Sequence, residues 1–157
     1  MKRDPGAAAG AFDRGLEAME RRDFERAIAC FTSAIEAGDR PALALSKRGV
    51  CRVRIGDRSA AAHDFTSALD RDPRCVPALV NLGNLALEAN MLEEARTRYE
   101  AALRIDETSA PAHHNLGVVY RRIGRLADSV KELRRAAALE FQPLRMMERF
   151  KQLWRRR

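Results

Sequence analysis

An all-α chain built from four copies of one helical hairpin is predicted by three observations. Gly15, Gly49, Gly83 and Gly117 recur 34 residues apart. Ala27, Ala61, Ala95 and Ser129 form a second column at the same step, and Ala34, Ala68, Ala102 and Ala136 a third. A further column, Arg22, Gly56, Asn90 and Gly124, falls where each hairpin must turn. Gly and Asn tolerate the left-handed conformation that ends a helix, so this column is geometry and not chemistry. Small residues at a fixed period mark close approach of antiparallel helices, with the larger Phe31, Phe65, Tyr99 and Leu133 filling the space beside them. One hairpin cannot bury such a face alone, so each stacks on the next.

The first hairpin is predicted to place helices over residues 9–21 and 24–37, with Asp23 capping the second and Gly38 ending it. The second covers 41–55 and 58–71, the third 76–89 and 92–105, and the fourth 110–123 and 126–140. Pro41, Pro77 and Pro111 stand near the starts of first helices, where a missing N–H costs nothing. Arg22 breaks the Gly/Asn turn column and predicts strain or a different turn. Residues 1–7 read as a frayed leader. Pro143 reads as opening a ninth helix, whose apolar stripe Leu144, Met147, Phe150 and Trp154, widened by Met146 and Leu153, would cover the end of the fourth copy.

These columns resemble the tetratricopeptide repeat, whose pattern includes Leu-Gly, Ala-x-x-x-Phe and a later Pro at a period of 34 residues. Ala27 with Phe31, Ala61 with Phe65 and Ala95 with Tyr99 carry the alanine–aromatic element, Leu82-Gly83 and Leu116-Gly117 the Leu-Gly pair, and Asp72-Pro73 the Asp-Pro end. The family's tryptophan column holds Ala11, Leu45, Leu79 and His113, and its tyrosine column is filled only by Tyr120. The resemblance implies a right-handed α-solenoid with repeats at 8–41, 42–75, 76–109 and 110–143, followed by a basic amphipathic cap over 143–157.

The resemblance also implies a concave wall made from first helices. Its positions correspond to Phe12, Ser46, Val80 and His114; Leu16, Val50, Asn84 and Val118; Met19, Val53, Leu87 and Arg121; and Glu20, Arg54, Glu88 and Arg122, with Lys47, Asn81 and Asn115 beside them. Phe12, Leu16, Met19, Val50, Val53, Val80 and Leu87 would form an apolar floor, and His114, Arg121 and Arg122 a cationic end. Some family members grip a C-terminal carboxylate with Lys, Asn and Arg side chains. Here those places hold Phe12, Leu16, Lys47, Pro77 and Asn81, so that clamp is absent. Part of the floor is alternatively ordinary interhelical core, or is covered by residues 1–10 or by another copy of the chain.

The net charge of +7 invites polyanions until it is located. From Phe141 onward six basic residues face Glu148 alone, leaving the repeats near balance. Three cysteines, Cys30, Cys51 and Cys75, follow no metal or redox spacing and fit a reducing compartment; Cys30 and Cys51 read as buried filler and Cys75 as a junction residue open to solvent. The N-terminal apolar stretch is too short for a secretory core, and no run approaches the roughly 18 apolar residues of a membrane span. A cytoplasmic location is expected.

No catalytic constellation is present in the sequence. His113 and His114 diverge by about 100° on one helix and cannot share an ion, and His63 lies on another helix. There is no HExxH, phosphate loop or paired cysteine ligand set. The expected function is therefore a non-enzymatic adaptor, without cofactor or metal, that holds a protein or peptide segment in its groove. Two alternatives stay open: a self-assembling homo-oligomeric scaffold, and docking of the Arg155, Arg156 and Arg157 tail on nucleic acid or anionic membrane. A merely solvated cap face explains that tail more simply.

Overall fold

A computed structural model describes the backbone of residues 10–154 and the side chains through Phe141. The expected leader over 1–7, the stripe on Leu144, Met147, Phe150 and Trp154, and the tail Arg155 to Arg157 lie outside the described side chains. The described residues form eight helices: α1 (Ala11–Glu20), α2 (Phe24–Ala37), α3 (Pro41–Arg54), α4 (Arg58–Arg71), α5 (Val76–Glu88), α6 (Leu92–Ile105), α7 (Ala110–Arg122) and α8 (Leu126–Trp154). The described residues are all-α hairpins at the predicted period, and the chain falls into two compact units that divide after Leu85, within α5.

The turns repeat even where the residues differ. Arg22, Gly56, Asn90 and Gly124 all have positive φ, at 60°, 90°, 59° and 81°. Arg22 therefore makes the same turn as its glycine counterparts and carries the strain a side chain brings to that region. Asp23 and Asp57 each accept the backbone N–H three residues on, from Arg26 at 3.1 Å and Ala60 at 3.0 Å. Met91 occupies the same column with nearly the same backbone angles and no side-chain cap, so stacking and not the cap holds this geometry.

In the first unit, Phe12, Phe31, Ala27, Ala34, Ala44 and Cys51 make one core, with Leu16, Met19, Phe24, Ile28, Ile35 and Leu43 packed on its edge. Phe12 meets Phe31 edge to face at 5.5 Å. Leu45, Ala61, Phe65, Ala68, Cys75 and Ala78 make a second core. The glycine columns are contact points: a Cβ on Gly15 would lie 2.6 Å from the Phe31 ring, and one on Gly49 2.5 Å from the Phe65 ring. In the second unit a Cβ on Gly117 would lie 2.8 Å from Leu133. The tryptophan column is core in every copy, since Ala11, Leu45, Leu79 and His113 are all buried.

Three expectations are corrected. Pro143 opens no ninth helix; α8 runs unbroken for 29 residues through it. The stop residues explain this. Gly38 ends α2 in the left-handed conformation, and Asp72 and Asp106 leave their helices extended, their carboxylates receiving the N–H of Arg74 and Thr108 at 2.9 Å. Glu140 stands in that column in the fourth copy, and glutamate continues a helix. Cys75 is buried where exposure was expected, and Cys30 is only partly buried.

Candidate functional site

The residues expected to line the wall divide between the two units. In the first, α1 offers Leu16 and Met19, α3 offers Lys47, Val50, Val53 and Arg54, and α5 offers Asn81 and Asn84. All of these are partly or fully exposed. Leu16 and Met19 rest on the first core and Val50 and Val53 on the second, so each holds one side against the core and leaves the other open. The spacing is helical: Leu16 to Met19 and Val50 to Val53 are each three residues apart, which places each pair on one face. Arg54 lies 5.7 Å over the Phe24 ring, and Asn81 donates to the Pro77 carbonyl at 2.8 Å.

Phe12, Ser46 and Val80 belong instead to the core, the alternative that the sequence leaves open. Phe12 is closed from below by Phe31 and from above by the Arg40 guanidinium, 3.9 Å from its ring centre. Arg40 is held there by Asp13 at 3.1 Å and Asp39 at 3.0 Å. Ser46 and Val80 are likewise buried.

In the second unit, Leu87, Asn115 and Val118 are partly buried, while Glu88, His114, Arg121 and Arg122 are exposed. Arg122 donates to the Leu87 carbonyl at 3.2 Å. Asn115 hydrogen-bonds the Tyr99 hydroxyl, which opposes the dominant effect of burial that pushes the Tyr99 pKa up. His113 and His114 diverge as their adjacency requires. His113 is buried, with one ring nitrogen 2.6 Å from Glu132 and the other 2.9 Å from the Glu107 carbonyl, whereas His114 faces solvent.

Sequence reasoning missed one polar cluster. Asp64 is fully buried and receives Arg48 Nη2 at 2.7 Å, Arg48 Nε at 3.0 Å and Arg52 Nη1 at 2.8 Å. Arg48 Nη1 also donates to Thr32 Oγ1 at 3.0 Å, and that hydroxyl donates to the Ile28 carbonyl at 2.8 Å. The signal was available in the repeat frame. Arg48 stands where Leu82 and Leu116 precede their glycines, and Arg52 stands in the tyrosine column. Two cations at apolar columns require an anion nearby, and Asp64, one turn before Ala68, supplies it. The cluster is closed upon itself and serves packing.

Among the described residues no group of three or more His, Cys, Asp and Glu side chains is placed to hold a metal ion. None of the described helices is long and apolar enough to cross a membrane.

Three family models match the chain: a tetratricopeptide repeat model over residues 12–57, a TPR repeat model over 83–124 and a second tetratricopeptide repeat model over 110–143. The heat shock protein STI1 of Saccharomyces cerevisiae is 30% identical over 109 residues, 69% of this chain and 18% of STI1. A probable UDP-N-acetylglucosamine–peptide N-acetylglucosaminyltransferase SPINDLY of Hordeum vulgare is 33% identical over 102 residues, 60% of this chain and 11% of that protein. The chain thus spans less than a fifth of either relative. Among solved structures, MamA superposes with a TM-score of 0.73 at 20% identity, covering 90% of this chain and 83% of MamA. The first TPR of Spaghetti (RPAP3), bound to the HSP90 peptide SRMEEVD, superposes with 0.69 at 20% identity, covering 77% and 96%. PilF of Pseudomonas aeruginosa gives 0.76 at 22% identity, covering 86% and 62%. The structural likenesses establish the same fold, and with the family matches over both halves they place this chain in the tetratricopeptide repeat family.

Proposed function

We propose that the protein is a non-enzymatic adaptor whose first unit holds an apolar or amphipathic segment of a partner protein against α1 and α3. One observation carries the reading: Leu16, Met19, Val50 and Val53 each rest on a core yet keep an open side. Apolar surface kept in water by four side chains on successive first helices is surface a ligand gains from covering. Lys47 and Arg54 flank the valines and suit acidic residues beside the apolar anchors.

The repeat domain of RPAP3, solved with an HSP90 peptide, supports peptide recognition as a use of this fold. The present wall differs in chemistry. Phe12 is buried and Leu16 is apolar at positions where the carboxylate-gripping members carry polar side chains, so apolar anchoring takes the place of a terminal-carboxylate grip. In the second unit the exposed Arg121 and Arg122, on the same helix as His114, suit acidic flanking residues.

The test is selection from a displayed peptide library on the intact protein and on a Val50→Glu/Val53→Glu variant. Sequences with two or more apolar anchors should be enriched on the wild type and bind the variant at least about tenfold more weakly, a loss of about 1.4 kcal/mol. Circular dichroism checks that the variant is folded. Equal enrichment on both proteins removes this wall from the function.

A further inference from the structure

One side of α8 carries apolar residues exposed to solvent, on a face distinct from the first helices. Leu126, Val130 and Phe141 are 63%, 47% and 59% exposed. With Ala137 they recur at steps of four, seven and four, which keeps them within about 60° of one another on one face of the helix. The first unit shows what this face does when it is covered. Three periods earlier the columns of Leu126, Val130 and Ala137 hold Phe24, Ile28 and Ile35, which are partly buried on a core that includes Ala44 and Cys51 of α3. The first helix of the following repeat thus covers α2, and the corresponding face of α8 is open. Residues 141–154 continue α8 and do not return over it.

Charge decides between occupants. On α2 this face carries Thr32, whose hydroxyl accepts Arg48 of the covering helix at 3.0 Å. The fourth copy has Arg134 in the Thr32 column. Arg134 is exposed, lies about 20° beyond Phe141 at the border of the apolar stripe and forms no ion pair among the described residues. A covering helix that brought a cation, as α3 does, would meet Arg134 head on; one that brought a carboxylate would pair with it.

A second copy stacking through its own α1 fits poorly. The α1 residue in the column of Cys51, which is fully buried in α3, is the exposed Glu17, and Gly10 stands in the column of Ala44. Glu17 lies about one turn from the position that would face Arg134, where α1 carries Arg14. The α1 face therefore brings a cation to a cation and a carboxylate to apolar surface.

We infer that α8 receives an amphipathic helix of a partner protein, seated as the first helix of a further repeat would be, with a carboxylate placed to pair with Arg134. This inference does not depend on the groove reading, since it uses a different face of a different helix.

The test is a charge swap. Two probes are synthesised with the sequence of residues 41–54 and Cys51 replaced by Ala, held helical by a lactam on the outward face. One keeps arginine at position 48 and the other carries Arg48→Glu. Fluorescence anisotropy measures both against the full chain. The Glu probe should bind at least about tenfold more tightly than the Arg probe. On the Arg134→Glu variant the order should invert, and on Val130→Glu both should lose binding while circular dichroism is unchanged. A Val130→Cys variant, with the three native cysteines replaced by Ala, should react freely with a maleimide when no probe is present. Equal binding of the two probes, or failure of the order to invert, overturns the carboxylate assignment. Protection of the Val130→Cys thiol in the absence of probe overturns the partner, pointing to a second copy if sedimentation finds a dimer and to the chain's own terminal residues if it finds a monomer.

Discussion

Gly49→Ala tests whether the glycine columns are places of close approach. The added Cβ would sit 2.5 Å from one Phe65 ring carbon and 2.9 Å from two others. Carbon atoms in contact prefer about 3.5–4.0 Å, so the ring or the helix must move by roughly an ångström. Phe65 is fully buried between Ala61 and Ala68 columns that are themselves fully buried, so the ring has little room to yield. Overpacking of this kind costs about 1–3 kcal/mol, and alanine recovers about 1 kcal/mol of helix propensity over glycine. The net expectation is a loss of up to about 2 kcal/mol, read in thermal melting by far-UV circular dichroism as a fall of up to about 8 °C. Phe65→Leu in the Gly49→Ala background should then cost less than Phe65→Leu alone, because the smaller side chain removes the clash. A Gly49→Ala protein that melts at or above the wild type would refute close packing and leave the column to chance or to turn geometry.

Breaking the Asp64 cluster should be costly and replacing it whole should not. Asp64→Asn leaves Arg48 and Arg52 beside a neutral amide, and since both arginines keep some exposure the loss expected in urea unfolding is about 2–4 kcal/mol. The triple change Arg48→Leu/Arg52→Ala/Asp64→Ala should return to within about 1 kcal/mol of wild type; a triple variant as weak as Asp64→Asn would show the ions themselves to be stabilising. Cys51 tests burial by its protons. Desolvation pushes its thiol up to about 11, above the free-cysteine range near 8.5. The unfolded chain therefore releases this proton first, and stability should fall as pH rises from about 9 toward 11. In the native protein at pH 8, iodoacetamide should modify the partly buried Cys30 well before Cys51; equal rates would contradict the packing around α3.

Much of the fold was legible because repetition supplies four readings of each position. The spans of α2 and α4 follow from one cap column and one turn column read together, and that of α6, where Met91 stands at the cap, from the turn column and the period. The α8 boundary was misread for a reason the columns also contain: Pro143 occupies the place of Pro41, which opens α3, but Glu140 lacks the stopping power of Gly38, Asp72 and Asp106. A start signal without a stop before it does not end a helix. The wall was less legible. Phe12 and Val50 occupy neighbouring family columns and are both apolar, yet Phe12 is sealed by Arg40, which arrives from the α2–α3 connection held by Asp13 and Asp39. No periodic pattern forecasts that a cation from a turn will roof an aromatic ring. Ser46 and Val80 were overcounted for a simpler reason, since a family position names a helix face and leaves the depth of each side chain to local packing.

The columns that differ among the copies carry a separate consequence. Asp64 and Glu132 share one column, 68 residues apart, and each is met by a polar side chain from the preceding first helix: Arg48 and Arg52 in one unit, the His113 ring in the other. The same column holds Cys30 and Arg98 in the other two copies. If α5 took the place of α3 as the hairpin partner of α4, Asp64 would face Leu82 and Ala86 where it now faces Arg48 and Arg52, and a buried carboxylate without a cation is strongly disfavoured. The shared small columns give each first helix a similar surface, so they do not by themselves select one second helix. The unshared acidic column removes that freedom. Stacking strength therefore comes from what the hairpins have in common, and the order in which they stack comes from where they differ.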